Sequence, residues 1–479
     1  MVKRIYITTS IPYVNAEPHI GHALKFVQAD ATARFCRLTG SQTVFQIGTD
    51  ENAFKNVLAA REQGLSTEEL VERNARRFQD LVQALGISAD TFIRTTEGRH
   101  REGVRLLWNR LRPDDVYSKP YAGLYCNGCE DFYLERDLVD GKCPEHQRAA
   151  VRVHEQNYFF RLSSYTDSLS KLIAEDSINV VPKGRKNEVM SFVRRGLEDI
   201  SISRDARRAG GWGIPVPGDK SQVIYVWIDA LINYITGRGF GSAENWTEVW
   251  NEQTRKIHMI GKNVWKFHAL YWPALLLSAG LPLPNEIMVH GFVTIEGQKM
   301  SKSLGNVVNP FDCIATIGAD ALRYYLLRAA SPFADGDVSD AHQKRMYNSD
   351  LAHGLGNLAS RIAVLWQKVG RQSVSVSDCP PPPAGFADAM GSYRFDRALE
   401  TLWQDIGRIN RDIDSKRPWD TLKQGRPKAL LTDLEQWVGG LHRIGFWLKP
   451  FLPTTSHRIV TGIKDRKADR LRNLFPRIG

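Results

Sequence analysis

Two short segments, far apart in the chain, carry residue types suited to phosphate chemistry. The first is Pro18-His19-Ile20-Gly21-His22, at the point where a strand-like stretch gives way to a helix-like one. Imidazoles three residues apart on an opening helical turn can both face an anion, and a helix N-terminus favours negative charge. Gly21 lets such a ligand approach the backbone closely. The second is Gln298-Lys299-Met300-Ser301-Lys302-Ser303-Leu304-Gly305-Asn306. Two lysines on a Ser- and Gly-flanked loop suit a clamp that closes over transferring phosphates and stabilises the charge of the transition state. Each segment has a plainer reading when taken alone: two surface histidines, or a solvated basic loop.

A third constellation concerns a metal. Cys126-x2-Cys129 and Cys143-x2-His146 are two pairs of soft ligands, the spacing of a structural zinc knuckle. Gly128 and Pro144 favour the tight turns within the pairs, and four protein ligands leave no open position for catalysis. Cys36, Cys313 and Cys379 are scattered, so no disulfide framework is expected. Asn357 and Arg361 stand four apart on a helical pattern, and Trp419 follows Pro418. Such side chains can bond exposed base edges and stack on an unpaired base, or they form a polar surface with a tryptophan in the core.

The elements around these residues follow from local pattern. Lys3–Thr9 and Gln42–Ile47 read as strands, Ile20–Leu38 as a helix, and the second strand runs into Gly48-Thr-Asp-Glu51. Strand, helix, strand at this spacing predicts a parallel α/β sheet with ligands at the strand ends. Residues 115–215, with their cysteines and short strands, read as an insertion, and Gln222–Trp227 resumes as strand. From about Asp340 the pattern is helical, with helices expected at Asp350–Lys368 and Arg394–Ile413. Pro380–Pro383 marks a loop between them. The expected fold is α/β: a parallel-sheet, Rossmann-like nucleotide-binding domain with a zinc-knuckle insertion, followed by an α-helical bundle. The expected segments are 1–114 and 216–298 for the two halves of the nucleotide-binding domain and 115–215 for the insertion. The lysine loop and a linking region take 299–345, and the helical domain 346–479.

Composition bounds the partners. The chain has 479 residues, 42% hydrophobic and 24% charged, with a formal charge of +11. Residues 346–479 hold 21 Lys and Arg against 13 Asp and Glu, which suits a phosphate backbone or serves solubility alone. Thr8, Thr9, Ser10 and Pro12 spoil any signal-peptide core, and Ala269–Pro284 is too short and proline-broken to span a bilayer. A soluble, cytoplasmic protein without membrane contact is expected. No further domain is visible before Gly479, which favours a monomer.

Taken together, the two phosphate segments resemble the HIGH and KMSKS motifs of class I aminoacyl-tRNA synthetases, in the right order. Thr9–Asn15, Tyr225–Tyr234, Ile260-Gly-Lys262, Phe267-His268 and Val289–Phe292 resemble the methionyl-tRNA synthetase family over nearly the whole chain. The resemblance implies that L-methionine is activated by ATP, with Mg2+ alongside, and transferred to tRNA(Met). His19, His22, Lys299 and Lys302 would be catalytic, with Gly21 and His290 also at the ATP. Ile11, Tyr13, Trp227, Ala230, Leu231, Tyr234, Phe267 and His268 would line the methionine pocket, and Asp50 would hold the substrate ammonium. Trp227, Ala230, Leu231 and Tyr234 do fall on one helical face, able to hold a thioether or to serve as a core stripe. Asn357, Arg361 and Trp419 would read the anticodon, and Cys126, Cys129, Cys143 and His146 would bind one structural Zn2+. The chain departs from the family at Asn52 and Ala53, where His-Gly is usual, and at Asn263, where an Asp usually pairs with the arginine matching Arg204. Those departures support one alternative, a paralogue that makes an aminoacyl-adenylate or aminoacyl-tRNA for another pathway; a second, a non-catalytic tRNA-binding protein that kept the fold, is opposed by the intact HIGH and KMSKS motifs.

Overall fold

In the computed structural model, Arg4–Thr9 forms the strand its β-branched and aromatic residues predict, and it lies inside a six-stranded sheet. All residues are described except 1, 2, 127–130, 134, 136, 137, 145, 146, 148, 243, 244, 301–304 and 371–373. The chain divides into two units: Met1–Pro18, Gly40–Asp80 and Ala89–His290 form the first, and His19–Thr39, Leu81–Ser88 and Gly291–Gly479 the second. The helices used below are α1 (Ile20–Leu38), α2 (Val226–Thr236), α3 (Ala319–Arg328), α4 (Asn357–Lys368), α5 (Phe395–Lys416) and α6 (Pro418–Lys423).

The strands of the first unit are β1 (Arg4–Thr9), β2 (Gln42–Thr49), β3 (Thr91–Arg94), β4 (Val116–Cys126), β5 (Asp131–Tyr133), β6 (Val151–Phe160), β7 (Asn179–Val181), β8 (Ile200–Ser201), β9 (Ser203–Asp205), β10 (Pro215–Val216), β11 (Asp219–Ile224), β12 (Thr254–Gly261) and β13 (Glu286–His290). The main sheet runs β3-β2-β1-β12-β13-β7, and every pairing in it is parallel. Its order reverses between β1 and β12, so the carboxyl ends of those two strands flank the crevice where open α/β sheets bind ligands. β1, β12 and β13 are buried along nearly their whole length, as strands covered on both faces must be. Between β3 and β12 the chain builds two smaller sheets, β5-β4-β6-β8 and β10-β11-β9, while β7 returns to the edge of the main one. The strand expected over Gln222–Trp227 stops at Ile224. Tyr225 turns its carbonyl to the amides of Ile228 and Asp229 and opens α2 instead.

In the second unit, β14 (Val293–Ile295), β15 (Gln298–Lys299) and β16 (Gly336–Asp337) form a small sheet in the order β15-β14-β16. Glu296 and Gly297, both at positive φ, make the tight turn between β14 and β15. Asp337 fastens that hairpin through Thr294 Oγ1 (2.9 Å) and the Gly297 amide (2.8 Å). α1 is held in this unit by a buried ion pair, Arg323 of α3 to Asp30 at 2.6 Å. The same guanidinium donates to the carbonyls of Phe451, Pro450 and Leu85. Burial works against an ionised Asp30, but Arg323, Arg34 and two bonds from Ser88 outweigh it and hold the carboxyl below its usual range. Arg323→Ala would leave that buried carboxylate to Arg34 and Ser88 alone and would strip the carbonyls of Phe451, Pro450 and Leu85 of their shared donor. A loss of about 3–5 kcal/mol is expected in denaturant unfolding, and a loss below about 1 kcal/mol would refute the role.

The helical part matches its expected bounds only in places. The helix expected at Asp350–Lys368 begins as a π-helical turn, Tyr347–Gly356, before α4 takes over at Asn357. Side chains of α5 draw carbonyls out of the α-ladder there, Trp403 Nε1 bonding the Asp350 carbonyl and Asn410 Nδ2 that of Gly354. The core of this unit is built on Leu351, Leu355, Leu358, Ile362, Trp366, Leu399, Leu402, Trp437 and Leu441, none more than 2% exposed.

Candidate functional site

His19 stands at the N-cap of α1 and His22 at its third helical position. His19 Nδ1 accepts from the Gly21 amide at 3.1 Å, and His22 Nδ1 accepts from the His19 amide at 3.1 Å. With both δ nitrogens occupied as acceptors, each neutral ring carries its proton on Nε2. The rings stack with centroids 3.7 Å apart. Burial, then the charge of Lys25, pulls His19 down to about 4. Burial, His19 and Lys25 hold His22 well below its usual value. The pair is therefore neutral at pH 7, two stacked imidazoles with N–H donors at a helix N-terminus.

The lysine loop reaches the same turn. Lys299 ends β15, and Met300 follows it. A Cβ built on Gly21 would meet the Met300 methyl at 3.4 Å and the His19 ring at 3.0 Å. Beyond the loop, the Val308 carbonyl accepts the Ile20 amide at 3.0 Å. Ser301–Leu304, and with them the candidate Lys302, lie outside the described residues, as does the side chain of Lys299. Met300 and Val308, on either side of Ser301–Leu304 in the chain, thus both meet the histidine turn, within one unit.

The candidate methionine residues gather in the first unit. Tyr13 follows β1 and bridges in parallel to Asp50, which follows β2, so both stand at strand carboxyl ends. Trp227 stacks on Phe267 at 3.9 Å and meets Tyr13 edge-on at 5.8 Å. Ala230, Leu231 and Tyr234 are 4%, 1% and 1% exposed on the same helix, α2. His268 Nδ1 bonds the Val264 carbonyl at 2.8 Å, which leaves Nε2 to accept from the Tyr234 hydroxyl at 2.6 Å. Burial raises the Tyr234 phenol and the Asp50 charge adds to this, against a bond from Asn233. Ile11 is partly buried just past β1, and His290 ends β13 at 6% exposure.

The departures from the family have local partners. Asn52 Nδ2 donates to Asp229 Oδ2 at 2.7 Å and to the Thr95 carbonyl, and Asp229 Oδ1 lies 2.6 Å from His100 Nε2. Ala53 is buried. Asn263 is exposed. Arg204 donates to Ser201 and Ser203 and lies 3.9 Å over the Tyr225 ring, so backbone oxygens, a hydroxyl and a π face accept its charge.

Cys126 ends β4, and Cys126 and Cys143 are buried, at 3% and 0% exposure. Cys129 and His146 lie outside the described residues, and among the described ones no three His, Cys, Asp or Glu side chains form a metal group. Two buried thiols are compatible donors for zinc.

On the helical surface, Arg361 donates to Asp414 Oδ1 at 2.5 Å and to Asn410 Oδ1 at 3.4 Å. Its guanidinium carbon lies 5.7 Å from the Trp419 ring, which is 38% exposed, and Asn357 is exposed one turn earlier on α4. An arginine, an amide and an open indole face thus converge on solvent.

Sequence reading missed His258, His100 with Asp229, and Lys25. His258 Nε2 accepts from Trp272 Nε1, so its Nδ1 donates to Thr8 Oγ1, and its ring lies 4.2 Å from Tyr234. The available signal was a histidine inside the otherwise apolar run Ile257-His258-Met259-Ile260 of a doubly covered strand.

A family model described as tRNA synthetases class I (M) matches residues 5–154 and 147–363. The methionine–tRNA ligase of Fusobacterium nucleatum is 40% identical over 475 residues, covering 96% of this chain and 74% of that protein. The methionine–tRNA ligase of Rhizobium meliloti is 40% identical, covering 95% of this chain and 90% of that one. Among solved structures, Mycobacterium tuberculosis methionyl-tRNA synthetase bound by methionyl-adenylate is similar with a TM-score of 0.86 and 36% identity, covering 96% of this chain and 94% of that one. Its free form is similar with a TM-score of 0.80 and 32% identity, covering 100% of this chain and 99% of that one.

Proposed function

The chain belongs to the methionine–tRNA ligase family of class I tRNA synthetases, and from that premise we propose how its residues divide the work. It is a methionine–tRNA ligase, which joins methionine to AMP and then passes it to tRNA. In the first step the methionine carboxylate attacks the ATP α-phosphate and pyrophosphate leaves. In the second the terminal ribose hydroxyl of tRNA(Met) attacks the activated carbonyl and AMP leaves. Positioning and phosphate electrostatics dominate such transfers.

The observation that carries the division is the contact of Met300 with the Gly21 turn. His19 and His22 hold the triphosphate through their Nε2–H donors, Gly21 admits it, and Lys299 and Lys302 neutralise the charge that develops on it, with Mg2+ accompanying ATP and His290 serving the nucleotide. Asp50 takes the methionine ammonium. Ile11, Tyr13, Trp227, Ala230, Leu231, Tyr234, Phe267 and His268 surround the thioether, whose sulfur suits contact with aromatic rings. Asn357, Arg361 and Trp419 bind the anticodon. The enzyme acts as a cytoplasmic monomer, and no described helix is long and apolar enough to cross a membrane.

The test is ATP–pyrophosphate exchange across the amino acids, where methionine should be the best substrate. Another amino acid as the clear favourite would establish the paralogue, and no exchange at all the non-catalytic binder.

Cys126, Cys129, Cys143 and His146 would hold one zinc ion as a closed tetrahedral site, supplying structure and no chemistry at the adenylate. Purified enzyme should carry about one zinc per chain, and Cys143→Ser should lose it and lower the melting temperature. Full stability with no bound metal would contradict the assignment.

A further inference from the structure

α1 carries a buried lysine near its N-terminal end. Lys25 is 7% exposed, in a stretch where Ile20, Ala23, Phe26 and Val27 are at 0%. It follows His22 by three residues and Gly21 by four, which puts it on the helical face they share. Helical side chains lean toward the N-terminus, a direction that favours the first turn for its four-carbon stem. Its Nζ is 5.4 Å from the centroid of the Phe26 ring, and its charge reaches both His19 and His22. Met300 meets the same turn at Gly21. A cation thus lies within electrostatic reach of the two Nε2–H donors, at the N-terminus of a helix.

We propose that Lys25 is a nucleotide-binding residue, whose ammonium group joins His19 and His22 in holding the triphosphate; this rests on the function assigned above to the histidine turn.

Burial pulls Lys25 down to about 7, so the free enzyme carries it only partly charged near neutral pH. A triphosphate supplies a counter-charge and returns the side chain to its ammonium form. Nucleotide binding therefore takes up a proton above pH 7, and affinity falls as pH rises. The titratable groups facing Lys25 from its own helix are His19 and His22. On α3, Arg323 pairs with Asp30, Asp320 accepts the Thr455 amide, and Arg328 acts on Tyr324. β14 brings Val293, Thr294 and Ile295, and beyond it Asp335 and Asp337 bond the amides of Phe292 and Gly297.

The experiment is calorimetric titration of the full-length enzyme with magnesium–ATP, without methionine, at pH 8 in two buffers of different ionisation enthalpy. The wild type should take up most of one proton per nucleotide, and Lys25→Met and Lys25→Arg none. From pH 7 to 9 the wild-type dissociation constant should rise by about 10- to 50-fold, that of Lys25→Met should be high and flat, and that of Lys25→Arg low and flat. Proton uptake by Lys25→Met equal to that of the wild type, or an unchanged affinity for ATP, would overturn the proposal. A wild type that binds ATP with proton uptake but shows no methionine-dependent exchange would instead sink the enzymatic reading and leave Lys25 as a nucleotide ligand.

Discussion

His22→Ala should slow methionine-dependent pyrophosphate exchange by about 10²–10³-fold, the cost of removing one donor from a developing oxyanion. Methionine binding should stay within about twofold, because the lost interaction belongs to the transition state. Two other substitutions separate catalysis from helix capping, since His22 Nδ1 also accepts the His19 amide. An asparagine places its amide oxygen near the Nδ1 position and restores the cap without the donor. A glutamine places its amide nitrogen near the Nε2 position. His22→Gln should therefore recover part of the rate and His22→Asn should not. A rate recovered by asparagine alone would mean that the imidazole serves only the start of α1.

Arg361→Ala and Trp419→Ala should each lower kcat/KM for aminoacylation of tRNA(Met) by about 10- to 100-fold, the range for losing one stacked base. Pyrophosphate exchange should not change, since it needs no tRNA. The geometry explains why a single arginine can matter so much. Its guanidinium is fixed by Asp414 and Asn410 beside the open face of Trp419, so little side-chain freedom remains to be lost on binding. Asp414→Ala should then cost part of the same effect without touching an RNA base. Equal losses in exchange and aminoacylation would point to a folding defect and remove these residues from tRNA recognition.

Much of this was legible in the sequence, and the exceptions have identifiable causes. α1 ran from Ile20 to Leu38 as expected, because its cap, apolar spacing and terminal Gly40 agree. The parallel sheet was legible from two strands and a helix, although its order was not, because β12, β13 and β7 are supplied from distant stretches of chain. Local propensity failed at Tyr225–Trp227, where β-branched and aromatic residues cap and open a helix, Tyr225 and Val226 buried and Trp227 partly so. The π-helical turn before Asn357 was invisible for the opposite reason: α5, some fifty residues on, draws its carbonyls aside. Buried polar groups were the hardest to foresee. Neither Lys25 nor the Asn52–Asp229–His100 chain has a spacing that betrays it, since each is explained by partners the sequence does not place nearby. The Arg361–Trp419 pairing was anticipated as residue types, but the carboxylate that orients the arginine was not.

The most direct measurement is a double-mutant cycle of His22→Ala and Lys302→Ala, read as the pre-steady-state rate of adenylate formation. If the histidine turn and the lysine loop grip one triphosphate, the two losses should fall short of additivity by about 1 kcal/mol or more. Strictly additive losses would show two groups acting independently, and would contradict the convergence on which the proposed mechanism stands.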